Sequence, residues 1–155
     1  MNKEPLIDAV LFDFGGVVTT SPFEAFSRYE NEIGAPPDSI RRINSTNPDN
    51  NAWAKMERSE VTISEFCKLF EAEATDLGLE MSGQKVLDCL SGNVRPQMVR
   101  AIKILQKRVR IGCITNNMKS GHGAGMARSS EQAASVAQIM QMFEVVVESA
   151  KVGIR

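Results

Sequence analysis

The stretch Val10-Leu11-Phe12-Asp13-Phe14-Gly15-Gly16 puts a carboxylate at the end of a short apolar run and follows it at once with two glycines. Packing explains this poorly, because an unpaired carboxylate is costly to bury. The glycines let the backbone turn sharply and leave amide groups facing outward, an anion cradle beside the carboxylate. A carboxylate that attacks phosphorus needs such a setting, with a cation to neutralise the accumulating charge. The plainer alternative is that Asp13 caps a turn. A second stretch, Ile111-Gly112-Cys113-Ile114-Thr115-Asn116-Asn117, ends another apolar run with a hydroxyl and an amide that can both donate to a phosphoryl oxygen. On its own it reads equally well as a strand-ending turn. Short motifs have many false positives; these two gain weight from their order and from what separates them.

To bring Asp13 and Thr115-Asn116 together, the chain needs parallel strands. Residues 8–14 (DAVLFDF), 108–115 (RVRIGCIT) and 143–148 (FEVVVE) are short, continuously apolar runs, as buried parallel strands are. Helical signals fill the intervals. Ser21-Pro22-Phe23-Glu24 reads as a capping box with proline at the first helical position, opening a helix that ends near Gly34. Thr62-Ile63-Ser64-Glu65 is a second capping box. It precedes Ile63, Phe66, Cys67, Phe70 and Ala74 at helical spacing, with Gly78 as the stop. Shorter helices are expected over 53–58 and 84–90, and longer ones from Pro96 and over 132–142. Strands alternating with helices predict an α/β fold, a Rossmann-like parallel sheet with right-handed crossovers. The first crossover is far longer than the dozen or so residues such a connection requires. Residues 21–92 are therefore expected to form an inserted α-helical cap, and 1–20 with 93–155 the core, the cap standing over the strand ends where open α/β sheets bind ligands.

Composition narrows the class. The 155 residues carry a net charge of −1, and charged residues make up 24%, which points to neither a nucleic-acid nor a membrane-surface partner. No apolar run approaches the roughly 18 residues of a membrane span. The first residues lack the apolar stretch of a secretory signal. Cys67, Cys89 and Cys113 form no CxxC pair and the sequence has one histidine, so a structural zinc site is not expected. Reduced thiols in a cytoplasmic protein fit best. Cys113, set among apolar strand residues, reads as inert filler. Gly121-His122-Gly123-Ala124-Gly125 lacks the Lys-Ser/Thr of a P-loop and reads as a surface loop.

Together, DFGGVV, ITNN, WAKMERSEVTISEF and FEVVVESAKVGIR resemble the haloacid dehalogenase superfamily of hydrolases. The match is to the subgroup whose helical cap follows the first strand, as in the phosphatase-like domain of soluble epoxide hydrolase. The hydrolase-like domain of some acyl-CoA dehydrogenases is similar too. The resemblance implies Asp13 as nucleophile, with Gly16, Thr115 and Asn116 holding the phosphoryl group. It implies magnesium bound by Asp13 and the backbone carbonyl of Gly15, and a small phosphorylated substrate.

Two departures qualify what it implies. Family phosphatases commonly carry a second aspartate two residues after the nucleophile, as acid and base; here that position is Gly15. Such help is worth roughly 10²–10⁴-fold in rate. The family's lysine and acidic motifs would follow VGIR, beyond Arg155. Lys151 precedes VGIR and reads as a solvated lysine. Three functions are therefore expected: a magnesium-dependent phosphatase, a carbon–halogen hydrolase using Asp13 through an aspartyl ester on a halogenated substrate, or a catalytically inactive fragment or binding module. Without a further strand beside it, VLFDF is expected to be an exposed edge through which the chain self-associates.

Overall fold

The computed structural model describes residues 7–116 and 129–152. Asn117, the glycine-rich stretch 121–125 and the VGI(R) end past Val152 lie outside the described residues.

Three strands form one parallel sheet in the order β1-β2-β3: β1 Ala9–Asp13, β2 Arg110–Thr115 and β3 Val145–Glu148. Asp13 pairs with Ile114 and Phe12 with Cys113, while Thr115 pairs with Glu148. All three strands thus end at one edge of the sheet. Between β1 and β2 run α1 Pro22–Glu32, α2 Ser39–Ser45, α3 Ala52–Glu57, α4 Ile63–Asp76, α5 Gly83–Asp88 and α6 Pro96–Leu105. Helix α7, Ser130–Met140, joins β2 to β3, and a single turn α8, Ser149–Val152, follows β3.

Both crossovers step in the same direction across the sheet, so a right-handed connection lays α6 and α7 on the same face. The packing agrees. Ile102 of α6 and Val136 and Ile139 of α7 bury against Phe12, Ile111, Cys113 and Phe143. The opposite face is bare among the described residues: Leu11 is 62% exposed, with Ile114 and Val145 also open. A second apolar cluster, formed wholly within residues 26–90, contains Phe26, Tyr29, Ile40, Met56, Phe66 and Phe70. Edge-to-face rings link Phe26 to Trp53 and Trp53 to Phe66, centroids 6.3 and 6.1 Å apart. Each such pair adds about 0.5–1.5 kcal/mol to simple burial. No helix among the described residues is long and apolar enough to cross a membrane.

Local signals placed most of these elements. The Thr62–Glu65 capping box forms in both directions: Glu65 N–H donates to Thr62 Oγ1 and Thr62 N–H to Glu65 Oε2. Ser21 caps α1 by accepting from Phe23 N–H at 3.3 Å, rather than through the reciprocal bond with Glu24 that a full capping box would make. Helix α7 starts two residues earlier than the apolar spacing suggests, because Ser129 accepts from Gln132 N–H as its cap. Helix α2 has no local sequence signature. Its entry residue Asp38 adopts φ +62°, and the buried carboxylate of Glu30 accepts from both Asp38 N–H (3.0 Å) and Ile40 N–H (2.8 Å). A side chain on α1 thus starts α2, a tertiary arrangement with no counterpart in sequence periodicity.

Candidate active site

The site is assembled where β1 and β2 end. Asp13 is the last residue of β1, and its carboxylate is exposed. Phe14 N–H donates to Asp13 Oδ1 at 2.6 Å, which fixes the carboxylate's rotation and leaves Oδ2 turned away from that bond. The chain then reverses in a tight turn, with Val18 N–H and Thr19 N–H both donating to Phe14 carbonyl oxygen at 2.9 and 3.1 Å. Gly16 makes this turn possible at φ +78°, a left-handed conformation that side chains disfavour. Beside Asp13 the space is open: a Cβ on Gly15 would meet nothing within 4 Å.

On the neighbouring strand Thr115 is buried and ends β2, and Asn116 follows it exposed to solvent. The structure therefore gathers Asp13, Gly15, Gly16, Thr115 and Asn116 at one sheet edge. Gly16 differs from the sequence reading in one respect. Its N–H donates to the hydroxyl of Thr19 at 3.2 Å, so this amide is engaged inside the protein.

Sequence reasoning passed over Glu148. It ends β3 as Asp13 ends β1, pairs with Thr115 in the register, and is ion-paired with Lys151. The signal was available, a carboxylate closing a third apolar run. Lys151 itself, 75% exposed at its side chain, is solvated as expected but not unpartnered. Between the two carboxylate-bearing strands lies buried Cys113. Burial first, then the charges of Asp13 and Glu148, push its thiol up to about 11. It is a protonated, inert thiol at neutral pH. Among the described residues no three histidine, cysteine or acidic side chains converge as a metal cluster.

The links between sheet and helical insert meet close to this site. Thr19 bridges antiparallel to Val94. Thr20 N–H donates to Asn93 carbonyl at 2.8 Å, Asn93 N–H to Thr20 Oγ1 at 3.0 Å, and Arg95 N–H to Val18 carbonyl at 2.9 Å.

No family model and no curated protein sequence matches the chain. Solved structures do. The chain is similar to a predicted HAD-like family hydrolase from Porphyromonas gingivalis, at 19% identity and a TM-score of 0.55, covering 97% of this chain and 70% of that one. It is similar to a HAD family enzyme from Bacteroides thetaiotaomicron in complex with magnesium and inorganic phosphate. There the identity is 13%, the TM-score 0.54, and the coverage 96% of this chain and 72% of that one. The L-2-haloacid dehalogenase from Xanthobacter autotrophicus, with chloropropionic acid covalently bound, matches at 14% identity and a TM-score of 0.54, over 96% of this chain and 59% of that one. The chain has the fold of the HAD-like hydrolases and dehalogenases.

Proposed function

We propose that the chain is a hydrolase of phosphomonoesters in which Asp13 is the nucleophile and magnesium assists. The observation that carries this reading is the placement of Asp13: an exposed carboxylate ending a parallel strand, its rotation fixed by Phe14 N–H, with open space beside it at Gly15. The fold's solved neighbours support hydrolysis in general, and one of them holds magnesium and phosphate.

The donors present suit magnesium in one respect. This ion keeps several waters and is commonly held by only one or two carboxylates together with substrate phosphate. Asp13 and the Gly15 carbonyl would hold it, and no dehydrated cage of acids is required. When bound, the ion would offset negative charge accumulating on the phosphoryl oxygens.

The chain's own residues account for the rest. Asp13 Oδ2 attacks phosphorus and the ester oxygen leaves with the bonding pair. Water supplies its proton, since Gly15 offers no acid. Thr115 hydroxyl and Asn116 amide donate to the phosphoryl oxygens. Water then attacks the aspartyl-phosphate, releasing inorganic phosphate and restoring the carboxylate.

The Xanthobacter neighbour, with chloropropionic acid covalently bound, favours a second reading. In it Asp13 displaces halide from carbon and forms an ester, without metal. One experiment separates the readings. Hydrolysis of p-nitrophenyl phosphate that needs magnesium, vanishes with chelator and is lost in Asp13→Asn supports the first. Chelator-resistant chloride release from 2-chloropropionate supports the second. Full phosphatase activity in Asp13→Asn removes Asp13 from the nucleophile role.

A further inference from the structure

Where the chain leaves the sheet for the helical insert, one hydroxyl touches both. Thr19 is 3% exposed, buried at the junction. Its Oγ1 accepts from Gly16 N–H at 3.2 Å, reaching back into the turn that follows Asp13. On its other side lies Gly92, where the chain returns from the insert. A Cβ on Gly92 would sit 2.8 Å from Thr19 Oγ1 and 2.6 Å from Thr20 carbonyl oxygen, distances at which something must shift. Gly92 is in turn held by the core: Gln132 of α7 donates from Nε2 to its carbonyl at 3.1 Å and accepts from Ser91 Oγ at 3.2 Å.

These contacts form a continuous path from α7 through Gln132, Gly92 and Thr19 to the Gly16 amide. We propose that Thr19 is a positioning residue that couples the attitude of the helical insert to the backbone turn beside Asp13. The two connecting segments, 18–20 and 92–95, are the only ones by which the described insert is tied to the sheet along the chain. Any rotation of the insert therefore bears on the Thr19–Gly92 contact. Gly92 leaves no room for even a methyl against Thr19, and movement there is passed to the hydroxyl and through it to Gly16. The same hydroxyl competes with an incoming anion for the Gly16 N–H. An anion that claims this amide releases Thr19, and release of Thr19 loosens the junction. Binding at Asp13 and movement of the insert are then two ends of one equilibrium.

The kinetic half of this inference rests on the hydrolase reading; the structural half does not. The test uses the full ¹⁵N-labelled chain, free of ligand and then titrated with inorganic phosphate and magnesium, with the Gly16 amide followed by NMR and hydrogen exchange. Thr19→Val, which keeps the shape and loses the acceptor, should shift the Gly16 amide and raise its exchange roughly fivefold or more, as loss of one hydrogen bond would. Thr19→Ser should restore the wild-type value. Gly92→Ala, which touches neither Gly16 nor Asp13, should move the same resonance. Gln132→Ala repeats that test without new bulk, in case the added methyl prevents folding. The coupling is refuted if both remote variants fold and leave Gly16 at its wild-type position. Where the wild-type chain hydrolyses p-nitrophenyl phosphate, Thr19→Val should change kcat more than KM, and Thr19→Ser should recover it. A chain that turns over nothing, yet whose Gly16 responds to Gly92→Ala, retains the coupling and loses the proposed hydrolysis.

Discussion

Asp13 stands directly opposite Ile114 in the parallel register, one residue short of Thr115 on the adjacent strand. Side chains alternate between the faces of a strand, so the carboxylate and the hydroxyl close neighbouring strands on alternate faces. Asp13 is exposed and Thr115 is buried. The carboxylate is thereby offered to solvent, and the threonine is fixed among packed neighbours.

That division makes Thr115 a clean target. Thr115→Val conserves volume and removes only the hydroxyl. Phosphatase kcat/KM is expected to fall by roughly 10²–10³-fold, the usual cost of one transition-state donor. Thr115→Ser should retain most of the activity. Activity of Thr115→Val within twofold of wild type, with its fold intact by circular dichroism, would exclude the hydroxyl as a phosphoryl donor.

Gly15 leaves room for the acid that the site lacks. A Cβ there meets no atom within 4 Å, and its backbone is not left-handed. Gly15→Asp should therefore fold normally and raise phosphatase kcat, toward the roughly 10²–10⁴-fold that general acid–base help supplies. Rates compared at saturating magnesium and neutral pH decide this. An unchanged kcat in a well-folded variant would show that leaving-group protonation does not limit the reaction.

Glu65 supplies a pH signature in the helical insert. Hydrogen bonds from the backbone and side chain of Thr62 hold its carboxyl below the ordinary glutamate value of 4.5. A depressed folded pKa contributes stability that is fully present above the unfolded value and is lost as pH falls through the folded one. Wild type should therefore be more stable than Glu65→Gln at pH 7. The gap should narrow as pH drops below about 4.5, the value for an unperturbed glutamate. Thermal melts of both proteins between neutral and acid pH provide the check; a gap independent of pH would rule out the carboxylate's role.

Among the described residues one sheet face is bare and β1 is an edge strand, and the two together predict association. Parallel sheets are normally covered on both faces, and an unpaired apolar edge invites another strand. Leu11 belongs to both surfaces. Sedimentation velocity should show the wild-type chain associating as its concentration rises, and Leu11→Lys should weaken that association. A wild-type chain that stays monomeric across the same range would contradict it.

Sequence patterning carried the sheet and the position of Asp13 because both are written locally. An apolar run closed by Asp13-Phe14-Gly15-Gly16 specifies strand and turn together, and Thr62 with Glu65 specifies a helix start within four residues. Helix α2 was illegible because its start depends on Glu30, eight residues before Asp38 in sequence and on another helix. Glu148 closes a third apolar run in plain view, but its place beside Thr115 exists only once β2 and β3 are in register. The engagement of Gly16 by Thr19 was likewise hidden: the glycine announces a turn, but not which hydroxyl folds back on it.

The chain's single tryptophan and single tyrosine both lie within the helical insert, Trp53 between the rings of Phe26 and Phe66, and Tyr29 with its hydroxyl accepting from Ser82 N–H. The sheet and its two covering helices therefore contribute no indole or phenol emission. Intrinsic fluorescence excited at the indole band is a local reporter of the insert, whereas far-ultraviolet dichroism sums over every helix and strand. Coincident transitions by the two probes would mean that insert and sheet melt as one unit; a fluorescence transition that comes earlier would mean that the insert unravels first.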